Sequence, residues 1–367
     1  MEKVRIGILG VGVMGSSHAD NASTLGNCTL AALCDLKKSA LERWKDSGAE
    51  FYTNPDVFFK KANVDAVIIA TPHYSHVPLA LEAVKRGIHV LVEKPVAVEK
   101  QDAERLVKAA QEHPELVMSA MFCCRTIPMF GKVKQLIDSG ELGKILRFNW
   151  IITDWFRTQA YYDSGTWRAT WRGEGGGVLL NQCPHQLDLM QWFFGMPSRV
   201  TTQLTFGKYH RIEVEDEVTA ILEYPDGKTA VFVASTGETP GTNRLEIAGE
   251  QGKLVLENGK LTFFRNEIPV SKFRNESRTT CGVPPVWTAD IPFGPTPPSI
   301  HRIIIENFAD AILKGVPLIA PAAEGIRGLE IGNAMLLSHL KGQSVTLPID
   351  SAEYNARLQQ LIKNSSK

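Results

Sequence analysis

The run Ile6-Gly7-Ile8-Leu9-Gly10-Val11-Gly12-Val13-Met14-Gly15 constrains this chain more than any other stretch, because it joins a short apolar strand to a G-x-G-x-x-G turn that opens a helix. The three glycines serve different ends. Gly10 permits the tight turn, Gly12 lets the backbone approach a pyrophosphate, and Gly15 lets helix pack on strand. Val13 and Met14 then bring main-chain amides to a helix N-terminus, where the dipole favours anions. Asp35, at the end of the next strand, stands where an acidic side chain accepts from the ribose hydroxyls of a dinucleotide. Its charge repels the 2′-phosphate of NADP, so NAD is the expected cofactor; the nearby Lys37 and Lys38 keep NADP as the second choice. Asp35 also reads as an N-cap for a helix over Lys37 to Ser47.

Strands are expected near Val4 to Leu9, Leu30 to Cys34, Ala66 to Ala70, His89 to Val92 and Val117 to Ser119, with amphipathic helical segments between them. That rhythm specifies a parallel sheet with crossover helices. Asn54-Pro55 reads as a cap with proline at the first helical position, and Gly87 closes the helix carrying Leu81, Ala83 and Val84. From about residue 121 the pattern changes to one helix from Phe130 to Ser139, a strand near Ile145 to Ile152, and consecutive strands near Val200 to Phe206, Val218 to Tyr224 and Thr229 to Ala234. The six prolines of 281–300 suggest a surface loop, followed by helices at 301–314 and 322–340. The expected fold is α/β: a doubly wound Rossmann domain over 1–120, and a substrate-binding and oligomerisation α+β domain over 121–367 with an open, largely antiparallel sheet.

At 367 residues two cores are expected rather than one. Lys plus Arg and Asp plus Glu balance at 40 each without long runs of one sign, which argues against a nucleic-acid or anionic-membrane partner. No apolar run reaches spanning length, and Met1 to Ile6 enters a strand pattern without a leader's apolar stretch; a cytoplasmic setting is expected. Six cysteines lack C-x-x-C or zinc-finger spacing and read as free thiols. The adjacent Cys123 and Cys124 read as packing residues, with a redox pair as the alternative.

Two further segments lie at carboxyl ends of the parallel strands, where an open α/β sheet holds its ligand: Ala70-Thr71-Pro72-His73-Tyr74-Ser75-His76 and Glu93-Lys94-Pro95. With the glycine motif and the downstream Gly175-Gly176-Gly177 to His185-Gln186-Leu187-Asp188 run, they make the sequence resemble the glucose-fructose oxidoreductase and inositol dehydrogenase family, often called Gfo/Idh/MocA. The resemblance covers essentially the whole chain. It implies that Lys94 and His185 sit against the reacting alcohol, and that Thr71, Pro72, His76 and Glu93 line the cofactor site with Lys94. The chemistry of the residues agrees: imidazole suits a proton acceptor at neutral pH, and an ammonium stabilises developing alkoxide. His185 is assigned as base and Lys94 as polarising cation, the reverse assignment remaining open. Many inositol dehydrogenase-like members have aspartate where this chain has Asn181, which points away from a plain inositol dehydrogenase; Asp188 is the candidate to orient His185, or else a first-turn acid favoured by the helix dipole.

Between 154 and 172 aromatics and arginines are dense: Trp155, Arg157, Tyr161, Trp167 and Arg168 are candidate sugar-binding residues with Asn181 and His185, and Arg125 is a weaker one. The alternative is that this segment packs at a domain or subunit interface. His73 and His76 form H-x-x-H, but no acidic or cysteine cluster completes a ligand set, and no metal is expected. The expectation is NAD-dependent oxidation of a secondary alcohol of a sugar, glycoside or cyclitol, the resemblance pointing to C3 of a glucosyl unit. Two alternatives stand beside it: a glycosidase using transient C3 oxidation and elimination, and a non-catalytic sugar- or NAD-sensing regulator. Family resemblance further implies a homo-oligomer, dimer or tetramer, and an exposed sheet face in the second domain is the expected place for subunits to meet.

Overall fold

The computed structural model describes residues 2–365. Its first sheet has six parallel strands: β1 (Val4–Leu9), β2 (Cys28–Cys34), β3 (Glu50–Tyr52), β4 (Ala66–Ile69), β5 (His89–Val92) and β6 (Met118–Ala120), in the order β3-β2-β1-β4-β5-β6. This is the doubly wound order, and its switch point lies between β1 and β4. Strand β4, Ala66-Val67-Ile68-Ile69, is buried at every residue because helices cover both faces, which is why its sequence does not alternate. The helices read from capping signals form: Asn54 Oδ1 accepts from Asp56 N at 2.7 Å and Val57 N at 3.2 Å.

The second sheet has nine strands: β7 (Ile145–Ile152), β8 (Arg199–Phe206), β9 (Glu215–Glu223), β10 (Thr229–Ser235), β11 (Asn243–Gly249), β12 (Gly252–Glu257), β13 (Lys260–Asn266), β14 (Val286–Asp290) and β15 (Val345–Thr346). Their order is β14-β13-β12-β11-β7-β10-β9-β8-β15, antiparallel except for the β7/β10 pair. Along β8, Val200, Thr202 and Leu204 are buried while Arg199, Thr201 and Gln203 are exposed, the period of a sheet covered on one face. The Gly325–Lys341 helix covers that face, and its small residues bring it close to the Pro184–Phe194 helix: a Cβ on Gly328 would lie 2.9 Å from Asp188 N.

Two expectations about elements need correction. The 281–300 segment is not wholly a loop, since β14 forms within it and pairs with β13; Pro285 and Pro292 flank the strand, where an edge position makes no demand on their missing N–H. The Lys37 to Ser47 segment forms two short 3₁₀ turns, Lys38–Ala40 and Glu42–Trp44, instead of an α-helix. The Ile300–Lys314 helix returns to the first sheet, where Ile304, Ile305, Phe308 and Ala309 pack in one cluster with Ile6, Ile8 and Ile68. Thus the Rossmann core draws on a segment beyond residue 121, and that helix carries His301 back toward it.

Candidate active site

The nucleotide cradle forms at the switch point. Gly10 has φ +86°, and a Cβ there would lie 2.6 Å from the Ala70 carbonyl oxygen, so the two loops meet too closely for a side chain. A Cβ on Gly15 would come within 1.8 Å of the Gly10 carbonyl oxygen, whereas one on Gly12 meets open space, the room a pyrophosphate needs. The Val13–Thr24 helix begins there with no side-chain cap and no acidic residue in its first turn, and Val13 and Met14 are exposed. Its leading amides are therefore available to an anion. Asp35 Oδ2 accepts from Val11 N and Oδ1 from Lys37 N, both at 2.8 Å. The carboxylate thus braces the glycine loop rather than capping a helix, and each oxygen keeps a lone pair for a ribose hydroxyl.

Behind the cradle a buried pair fixes the Glu93-Lys94 segment. Glu93 Oε1 lies 2.6 Å from His18 Nε2, and Oε2 accepts from Lys94 N at 2.9 Å. Burial would raise the Glu93 carboxyl, but the hydrogen bond from His18 and the charges of His18 and Lys94 outweigh it and bring it down to about 2. Glu93 is thereby an internal anion that positions Lys94 rather than a group facing the crevice. Lys94 Nζ donates to the Asn181 carbonyl oxygen at 2.8 Å, across 87 residues, and so ties the end of β5 to the approach to His185.

That approach is held from both sides by carboxyl groups. Glu174 bonds the Asn181 amide through Oε1, and its Oε2 accepts from Ala169 N at 2.5 Å. Glu215 Oε1 accepts from Gly177 N at 2.9 Å and Leu179 N at 3.0 Å, and burial pushes this carboxyl up to about 7. Gly177 is required by this close packing, since its Cβ would lie 2.0 Å from the Glu215 carbonyl oxygen. The Pro184–Phe194 helix then presents His185, half-buried, with its ring edge-on to Phe122 at 6.3 Å. Among the described residues His185 Nδ1 has no hydrogen-bond partner.

Three further site expectations are corrected, beside that for Glu93. Arg125 is not free to read a sugar: Nε and Nη2 bond Asp188 at 2.8 and 2.6 Å, Nη1 bonds Glu324 at 2.6 Å, and its side chain is 2% exposed. Asp188 accordingly does not orient His185, because the buried guanidinium and Gln191 take its oxygens. His76 is 1% exposed, with Nε2 2.7 Å from the Thr71 carbonyl oxygen and Nδ1 2.8 Å from that of Pro95. It clamps the Thr71 and Pro95 loops together instead of facing the cofactor crevice. Thr71 keeps a buried hydroxyl with no partner among the described residues, and Pro72 is exposed.

The remaining candidates come together. Arg157 lies over the rings of Trp155 and Tyr161 at 5.2 and 5.0 Å, and Arg168 over those of Tyr161 and Trp167 at 4.7 and 4.6 Å. Tyr161 Oη accepts from Arg168 Nη1 at 3.0 Å, and Trp167 meets His73 edge-on at 5.9 Å. Burial lowers His73 to about 3, so its ring is neutral, and its Nδ1 lies 3.1 Å from the Glu174 carbonyl oxygen. This ladder of alternating rings and guanidinium groups therefore leans on the loop after β4. His18, Glu174, Glu215 and His301, whose ring lies 5.8 Å from that of His18, are the residues that sequence reasoning missed. Only Glu174 carries a local signal, as the acid opening the glycine run.

A two-sheet fold with a dinucleotide cradle and an amine and imidazole brought beside it defines an NAD-binding oxidoreductase. The profile described as "Oxidoreductase family, NAD-binding Rossmann fold" matches residues 4–121, and the GFO/IDH/MocA C-terminal domain matches residues 130–255. The chain belongs to the GFO/IDH/MocA family, and inositol 2-dehydrogenases are among its relatives. It is 25% identical to the myo-inositol 2-dehydrogenase of Thermotoga maritima over 71% of this chain and 77% of the relative. The inositol 2-dehydrogenase of Rhizobium meliloti is also 25% identical, over 94% of this chain and 99% of the relative. Among solved structures, the WlbA dehydrogenase from Bordetella pertussis in complex with NADH and UDP-GlcNAcA superposes with a TM-score of 0.80 at 25% identity, covering 95% of this chain and 100% of the other.

Proposed function

We propose that the chain uses NAD to oxidise a secondary alcohol of a sugar, glycoside or cyclitol, with a glucosyl C3 hydroxyl as the preferred site and a 3-keto sugar as product. The observation that carries this reading is the Lys94 Nζ to Asn181 carbonyl bond at 2.8 Å, which joins the two segments bearing the amine and the imidazole. In the cradle of Gly10, Gly12, Gly15 and Asp35, NAD supplies the acceptor for a hydride. His185 takes the hydroxyl proton, a role that suits an imidazole at neutral pH. Lys94 stabilises negative charge on the oxygen, held in place through its main-chain bond to Glu93. Trp155 and Trp167, at the two ends of the ladder, offer ring faces for the apolar side of a pyranose, and Arg157, Arg168 and Asn181 offer donors to its hydroxyl groups. The inositol dehydrogenase relatives, and the relative crystallised with NADH and UDP-GlcNAcA, support a polyol or sugar substrate.

We also propose that copies of the chain meet through the outer face of the nine-stranded sheet, which carries the exposed Ile221. The six cysteines are free thiols, which supports a reducing, cytoplasmic setting. The test of activity is incubation with NAD and a panel of free sugars, inositols and methyl glucosides, following nicotinamide absorbance and identifying the product. Net NADH with a keto sugar is expected. Aglycone release without NADH accumulation would point to the transient-oxidation glycosidase instead, and no turnover of any polyol would end the dehydrogenase reading.

A further inference from the structure

Past β6 the chain turns through Cys123–Thr126 and sets two adjacent thiols beside the imidazole of His185. One ligand atom from each of Cys123, Cys124 and His185 lies within 4.8 Å of the others. Cys123 is buried while Cys124 and His185 are half-buried, so the group is closed on one side and reachable from the other. Two sulfurs and an imidazole nitrogen are the donor set of soft and borderline divalent ions, and zinc suits them best. No carboxylate belongs to the group: the nearby Asp188 is committed to Arg125, which disfavours magnesium and calcium.

The size is also right. Zinc with Zn–S bonds of about 2.3 Å and Zn–N bonds of about 2.0 Å sets its ligands roughly 3.5–3.8 Å apart on a tetrahedron's edges. Closing the group to that size takes a contraction of at most about 1 Å, within the rotation available to a half-buried cysteine. Three protein ligands leave a fourth position open to solvent or to a substrate oxygen. His185 Nδ1 is buried without a hydrogen-bond partner among the described residues, and the side chain that the ring does hydrogen-bond is Cys124, so the imidazole is committed to nothing outside the group.

We propose that Cys123, Cys124 and His185 form a binding site for a thiophilic divalent cation, zinc foremost, and that the bound ion inhibits turnover by occupying the imidazole lone pair. The two thiols release their protons to solvent as the Zn–S bonds form, the neutral imidazole shares its lone pair, and nothing is oxidised or reduced. Binding stands on the geometry alone. Inhibition rests in addition on His185 being the base of the proposed reaction.

The test uses the purified full chain, stripped of metal and kept in a non-coordinating phosphine reductant. Zinc is titrated in competition with a chromophoric chelator, and cobalt is bound in its place to read thiolate-to-cobalt charge transfer. One ion per chain is expected, with a charge-transfer band. Cys123→Ser and Cys124→Ser each weaken binding by at least about tenfold. Cys281→Ser serves as the control, because Cys281 is exposed and outside the cluster. Should Cys123→Ser fail to fold, Cys124→Ser, at a half-buried position, carries the test. No binding at micromolar zinc overturns the site, as does affinity unchanged in Cys124→Ser or lost in Cys281→Ser. In the activity arm, zinc stops turnover of the native enzyme, a chelator restores it, and Cys124→Ser resists relative to its own zinc-free rate. Zinc bound through these residues with turnover unaffected would keep the site and overturn the inhibition together with His185 as base.

Discussion

Asp188→Ala isolates the consequence of finding Arg125 buried. In the native protein Arg125 and Asp188 exchange two bonds of 2.8 and 2.6 Å, with side chains 2% and 1% exposed. Removing the aspartate leaves a desolvated guanidinium whose remaining anion, Glu324, is 31% exposed and meets only Nη1. Breaking a buried pair on one side costs about 3–5 kcal/mol, and the surviving Glu324 bond places this case near the lower end, about 3 kcal/mol. With roughly 2–4 °C per kcal/mol for a chain core of this size, Tm should fall by about 6–12 °C. Arg125→Met/Asp188→Leu removes both charges and should recover most of that loss, since replacing a buried pair by apolar groups is often neutral. The assay is thermal unfolding by circular dichroism beside steady-state kinetics on the folded fraction. If Asp188→Ala leaves Tm within about 2 °C of native, a loss below about 1 kcal/mol, and Arg125→Met raises only the sugar KM, Arg125 is a substrate contact and the structural reasoning fails.

Further perturbations follow from the other contacts. Asp35→Ala should raise KM for NAD about tenfold and erase most of its preference over NADP, because one hydrogen-bonding and repelling group is lost; an unchanged NAD/NADP ratio of kcat/KM refutes the assignment. Trp167→Ala should raise the sugar KM roughly fivefold, the worth of one aromatic contact, while KM for NAD stays within about twofold; equal effects on both would place Trp167 in the cofactor site. Burial raises Glu215 and Glu99 to about 7 each, from 4.5, so the folded state binds more protons than the unfolded chain between those values. Their contribution to stability is complete below about pH 4.5 and is lost as pH rises through about 7. Glu215→Gln keeps an oxygen for Gly177 and Leu179, and should shrink the drop in Tm between pH 5 and 8 without abolishing it, because Glu99 still titrates. A drop identical to the native one would refute the role of Glu215.

The nucleotide cradle was legible because its contacts are local in sequence: Gly10, Gly12 and Gly15 lie within six residues, and Asp35 reaches Val11 across 24. The residues that complete the site were not, because their signal is the partner and not the residue. His18 is an ordinary helical histidine until Glu93, 75 residues away, is seen beside it, and His301 arrives on a helix from the far end of the chain. Arg125 misled for the same reason. A lone arginine near a suspected sugar site reads as a ligand, and only packing reveals Asp188 across 63 residues. Strand β14 stayed hidden among prolines because an edge strand needs hydrogen bonds on one side alone.

In the proposed reaction Lys94 and His185 act together on a secondary alcohol whose hydride passes to NAD. Methyl β-glucoside deuterated at C3 tests it directly, by mass spectrometry of the NADH formed by the native enzyme, Lys94→Ala and His185→Ala. Deuterated NADH is expected from the native enzyme, and a rate lower by about 100-fold to 10,000-fold in His185→Ala, the range for loss of a general base. Unlabelled NADH would place the oxidation at another carbon. Near-native rates in both variants would contradict the roles proposed for Lys94 and His185.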